Sequence, residues 1–165
     1  MQNFQEFLEN SLQQNIKKLI PLTGGASADI NRIILENNNE LIVRRSLSKE
    51  QSVMAIPKKL EAKIQRIVRS NDAPVPEIIF EFSEDEDIGE GYVMEAIPGE
   101  TIPRKILRDD KYKSVRGKLS FEIGKSLATI HQTKLDELSD LDKETFEESL
   151  KKLYLVYSSF EQPKP

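Results

Sequence analysis

The chain has 165 residues, of which 38% are hydrophobic and 32% charged, with a formal net charge of -4. That length and balance fit a folded domain with a real core, or one domain plus the start of another, and exclude a disordered chain. The basic residues gather on no one stretch, which argues against nucleic acid as a partner, and the absence of cysteine excludes disulfides, thiolate metal sites and cysteine nucleophiles within the chain.

Met1 to Glu9 carries acidic residues and no continuous apolar run, so it does not read as a signal peptide. No later run approaches membrane-spanning length, and the expected setting is the cytoplasm with no membrane partner. From Phe4 to Ile20, apolar residues at Phe4, Phe7, Leu8, Leu12, Ile16, Leu19 and Ile20 keep helical spacing, and Pro21 ends the run. One amphipathic helix is predicted there.

Next come a turn-rich loop, Pro21 to Ser27, an apolar run from Ile30 to Leu35, a turn at Asn37 to Asn39, and a branched run from Glu40 to Arg45. This predicts an antiparallel hairpin preceded by a glycine loop. Pro57 to Ser70 returns to helical spacing through Leu60, Ile64, Ile67 and Val68. In Ala73 to Phe82 the prolines fix an extended entry and a strand follows, and after the acidic turn Ser83 to Glu90, whose carboxylates read as solvated rather than metal-binding, Gly91 to Glu95 reads as another strand. Short strand connections point to an α+β fold and against a doubly wound parallel sheet.

After Pro98-Gly99 the pattern turns helical, with one stripe at Val115, Leu119, Ile123, Leu127 and His131 and another at Phe146, Leu150, Leu153, Tyr154 and Tyr157. His131, the only histidine, continues its apolar stripe without a histidine or cysteine partner, so a packed structural role is expected for it. Tyr154 and Tyr157 read as the buried face of their helix, partly exposed if the chain is a truncated one. A sheet-containing part, residues 1–97, joined to a helical part, residues 98–165, suggests two lobes with a small-molecule site at their hinge.

The chemistry-bearing candidates lie in the first part. Gly24-Gly25-Ala26-Ser27 lets backbone approach a phosphate and offers N–H groups and a hydroxyl, although a tight turn has the same sequence. Arg44 on a following strand and Glu61 on the next helix form a basic–acidic couple in which the cation bridges phosphate oxygens and the carboxylate orients it. Strand alternation allows only one of Arg44 and Arg45 to face a cleft, the other facing solvent. Met94, with Tyr92 and Val93, reads equally as pocket lining or strand core.

These stretches, in this order, resemble the aminoglycoside phosphotransferase-like kinases, especially the branch related to the kinase-like domain found with some acyl-CoA dehydrogenases. The resemblance runs through Leu22 to Ser27, Ile42 to Arg45, the Glu61 helix, Asp72 to Glu77, Gly91 to Gly99, and Ile123 to His131. It implies a protein-kinase-like N-lobe, an antiparallel sheet with a helix, followed by a hinge and the first helices of the C-lobe. Gly24, Gly25 and Ser27 match the phosphate-covering loop, Arg44 the basic strand residue and Glu61 its partner. Met94, Glu95, Ala96 and Ile97 match the hinge, whose backbone from Glu95 to Ile97 pairs with adenine.

The implied activity is ATP-dependent phosphorylation of a hydroxyl on a small molecule, with Mg2+ as the metal. The family's H-G-D-x-x-x-x-N loop and later metal-binding aspartate have no match here, since His131 is followed by Gln132-Thr133. No catalytic residue is therefore assigned in the chain, the metal ligands are expected outside it, and the sequence reads as a fragment without turnover. The other readings are a non-catalytic kinase-like domain that binds nucleotide or protein, and an unrelated α+β interaction module.

Overall fold

The computed structural model describes residues 3–22, 28–47, 56–83, 87–139, 141 and 144–160. Helix α1 (Phe4–Leu12) starts where the Asn3 side chain accepts the N–H of Gln5, and it stops at Gln13, whose φ of 52° is left-handed. The predicted single helix to Ile20 is thus corrected: Ile16–Pro21 is strand β1. Ile16 sits opposite Leu35 while Lys18 sits opposite Ile34, so β1 carries one extra residue, a bulge. The bulge puts the inward Ile16 and Leu19 three residues apart, a spacing that mimics one turn of helix. Glu9 closes the corner by accepting the N–H of Ile16 at 2.9 Å.

Strands β2 (Asp29–Leu35) and β3 (Glu40–Ser46) form the expected hairpin. Its turn uses Asn38 at φ 62°, and the Asn37 side chain accepts the N–H of Asn39 at 2.9 Å. Helix α2 (Lys58–Ser70) begins directly after Pro57. Strand β4 (Ile78–Ser83) follows the proline-fixed entry as expected, since Pro74 and Pro76 have no N–H to give a ladder. Strand β5 (Glu90–Glu95) completes a five-stranded antiparallel sheet in the order β1-β2-β3-β5-β4.

The two faces of the sheet are covered differently. On one, α1 buries Leu8 against Ile16, Ile33, Leu35, Val43, Phe82, Ile88 and Val93, with the Phe7 and Phe82 rings 5.2 Å apart edge-on. On the other, α2 packs over β4 and β5 around Ala62, Ile78, Tyr92 and Met94. On β1 that second face stays open, with Ile20 37% and Leu22 43% exposed.

Helices α3 (Pro103–Arg108), α4 (Lys113–His131) and α5 (Phe146–Ser159) follow. Arg116 of α4 donates to the carbonyl of Ile106 at 2.8 Å, tying α4 to α3, and Thr145 with Glu148 forms a capping box on α5. The α4 stripe is exposed at Val115, Ile123 and Leu127, and so are Phe146, Leu150, Leu153, Tyr154 and Tyr157 of α5. His131 is exposed with its stripe, which overturns the packed role expected for it. The amphipathic pattern called for a covering element, and none packs on that face among the described residues. No described helix is long and apolar enough to cross a membrane.

Candidate functional site

The sheet register brings the site together. Ile20, Arg32, Ile42 and Met94 are successive partners across β1, β2, β3 and β5, so they share one face, and in the adjacent row Ile30, Arg44 and Tyr92 do the same. Leu22 donates its N–H to the carbonyl of Ile30 at 2.8 Å, which extends the second row to the end of β1. This face is apolar at Ile20, Leu22, Ile30 and Ile42 and carries Arg44 where α2 begins to cover it. Arg32, another cation on the face, is taken by Glu40, with its Nε 2.8 Å from the carboxylate.

Arg44 and Glu61 meet as predicted: Nε donates to Oε2 at 3.1 Å and Nη2 to Oε1 at 3.3 Å, a side-on fork that ties β3 to α2. Among the described residues no hydrogen bond uses Nη1, so that end of the guanidinium keeps its donors. Two further donors reach the same carboxylate. Lys58, one turn earlier on α2, places Nζ 3.1 Å from Oε2, and the Tyr92 hydroxyl donates to Oε2 at 3.4 Å.

The electrostatics follow from this crowding. Burial works to raise the Glu61 pKa, but hydrogen bonds and charge from Arg44 and Lys58 outweigh it and hold the carboxyl below its ordinary value. Burial likewise opposes the charge on Arg44, yet the bond to Glu61 prevails and raises its pKa, so it remains a fixed cation. Burial and the Glu61 charge push the Tyr92 hydroxyl up to about 12, keeping it a neutral donor.

Arg45 is not the solvated surface residue that alternation suggested. It points to the α1 face, where Nε lies 2.8 Å from Asp29 Oδ2, the guanidinium stacks 3.5 Å from the Phe4 ring centre, and Nη1 donates to the Ile88 carbonyl at 3.3 Å. Each arginine of β3 thus has a partner on a helix, Glu61 of α2 for Arg44 and Phe4 of α1 for Arg45, and neither is left to water alone.

Gly24, Gly25 and Ser27 lie outside the described residues. Their flanks correct one expectation: the loop joins strand β1 to strand β2, not a helix to a strand. Ile30, in the strand that follows, is the direct partner of Arg44. Residues 84–86 of the acidic turn are also outside the described set, while Asp87 is exposed.

At the hinge, Met94 is half-buried against the α2 cluster, and Gln65 contacts its sulfur at 3.8 Å. The Glu95 N–H already donates to the Glu77 carbonyl at 2.9 Å. Ala96 and Ile97 follow the end of β5, and among the described residues their N–H groups make no hydrogen bond. Lys58, the Tyr92 hydroxyl and the open isoleucines were not singled out from sequence for this site. The spacing of three between Lys58 and Glu61 was the available signal for the first; the others depend on strand register.

The arrangement sets a fixed cation, with donors to spare at Nη1, beside an apolar strip, chemistry that can meet an anionic group. For a metal ion the described residues offer no group of three or more His, Asp or Glu side chains. The family model described as Phosphotransferase enzyme family, APH, matches residues 18–155, nearly all of the elements above. No curated protein matches the chain.

Proposed function

The chain belongs to the phosphotransferase enzyme family, and from that premise we propose that it is the nucleotide-binding portion of an ATP-dependent phosphotransferase acting on a hydroxyl of a small molecule. The observation that carries this reading is the Arg44–Glu61 fork between β3 and α2, at 3.1 and 3.3 Å. It fixes a cation beside an open apolar face, an arrangement suited to orienting phosphate oxygens.

In this reading Arg44 binds the polyphosphate, Glu61 orients Arg44, and Gly24, Gly25 and Ser27 cover the phosphates from the β1–β2 loop. Met94 lines the base pocket, and the Ala96 and Ile97 N–H groups pair with adenine where the Glu95 N–H is already engaged. Bound ATP supplies the phosphoryl group. Residues 1–97 form the nucleotide lobe and 98–165 the hinge and helical part, in a cytoplasmic protein of the branch found with some acyl-CoA dehydrogenases. The second reading is a non-catalytic kinase-like domain that binds nucleotide or protein.

Calorimetric titration with ATP, with and without Mg2+, and thermal unfolding at saturating ATP test the proposal. A ligand bound only to the folded state at a hundred times its Kd stabilises by about 2.7 kcal/mol, so the melting temperature should rise, and Arg44→Ala should abolish the rise. A folded protein whose melting temperature is indifferent to millimolar ATP would sink it. Transfer of the γ-phosphoryl group to a hydroxylated acceptor, with ADP as the other product, separates the two readings.

A further inference from the structure

Lys58 stands out among the remaining charged groups. It occupies the first position of α2, where the helix dipole disfavours a cation, and its side chain is only 5% exposed although a lysine can ordinarily extend its ammonium to water. Its reach to Glu61 Oε2, at 3.1 Å, accounts for that placement. The same oxygen takes the Arg44 Nε at 3.1 Å and the Tyr92 hydroxyl at 3.4 Å.

The charge balance gives this contact a consequence. One arginine against one glutamate cancels, and the field that an approaching anion meets is small. With Lys58 the cluster of Arg44, Lys58 and Glu61 carries a net positive charge, while Tyr92 stays neutral. We propose that Lys58 is a positioning residue: it shares the Glu61 carboxylate so that Glu61 orients Arg44 without neutralising it, leaving a net cation toward the polyphosphate of a nucleoside triphosphate. Tyr92 assists by holding the shared oxygen in place. The inference rests on the nucleotide-binding reading above.

Calorimetric titration of wild type, Lys58→Met, Lys58→Arg and the double variant Lys58→Met/Glu61→Gln with Mg-ATP and with adenosine tests it, each protein first checked for folding by circular dichroism. Lys58→Met should weaken ATP about tenfold, one charge-assisted contact's worth, and adenosine by less than about twofold. Lys58→Arg should restore ATP binding. The double variant keeps the wild-type net charge but has no carboxylate to orient Arg44, so it should stay weak.

Equal weakening of ATP and adenosine would reduce Lys58 to a structural residue, and recovery in the double variant would show that charge alone matters; either result overturns the positioning role. If Lys58→Met does not fold, Lys58→Gln takes its place. The contact is judged apart from nucleotide by carboxyl carbon NMR, where losing Lys58 should raise the Glu61 titration midpoint. An unchanged midpoint defeats the proposal even where ATP binds, whereas a wild type that binds neither ligand defeats the nucleotide reading instead.

Discussion

Replacing Glu61 by glutamine keeps the side-chain shape and removes the charge that three donors share. Each charge-assisted bond contributes about 1.5–3 kcal/mol net, but bonds to one carboxylate are not additive. Arg44 and Glu61 are 22% and 26% exposed in their side chains, so water screens part of their loss. Lys58, at 5%, has no such recourse, and its stranded ammonium dominates. The expected cost is about 2–3 kcal/mol, which for a chain of this length lowers the melting temperature by roughly 4–12 °C.

Urea and thermal unfolding followed by circular dichroism at neutral pH measure it. The pH dependence gives a second reading of the same group. Because the folded Glu61 carboxyl is held below its ordinary 4.5, its contribution is present above that value and is lost as pH falls through the lower folded value. The variant should lack this acid-side loss. A Glu61→Gln protein within about 0.5 kcal/mol of wild type, with an unchanged acid limb, would refute the assignment of Glu61 as the hub of the cluster.

Gly91→Ala should destabilise by about 2–3 kcal/mol, since a Cβ there would lie 2.6 Å from the Arg44 carbonyl and 2.6 Å from the Phe82 ring; Gly99→Ala, which meets nothing within 4 Å, should be nearly neutral, and urea midpoints compare them. The Tyr92 pKa is raised to about 12 from 10.0, so its contribution is full below pH 10.0 and lost as pH climbs through the folded value. Tyr92→Phe should remove that alkaline loss, of up to about 2 kcal/mol, along with the latest-titrating phenolate absorbance. A double-mutant cycle on Phe4→Leu and Arg45→Met, read by urea unfolding, should give a coupling of about 1 kcal/mol from the stack over the ring.

The elements with a single period were legible. Helix α2 and the β2–β3 hairpin follow from apolar spacing and turn residues, and the Arg44–Glu61 couple was visible because both residue types stand on adjacent predicted elements. Strand β1 was hidden by its own bulge, which spaced Ile16 and Leu19 like helix neighbours and joined them to the real helix before them. Lys58 stayed hidden for a different reason: a Pro-Lys-Lys start to an amphipathic helix looks solvated, and only the sheet beneath α2 buries one of the two lysines. The shared apolar face of Ile20, Ile30 and Ile42 is a property of register between strands, which no local period encodes.

Arg44 and Arg45 are joined by one peptide plane, yet they anchor β3 to helices on opposite sides of the sheet, Arg44 to α2 through Glu61 and Arg45 to α1 through the Phe4 ring. Successive strand side chains point to opposite faces, so this adjacency in sequence becomes a separation across the sheet. The two cations therefore brace β3 against α2 on one side and α1 on the other. Losing either contact would leave that strand tied to a helix on one side only.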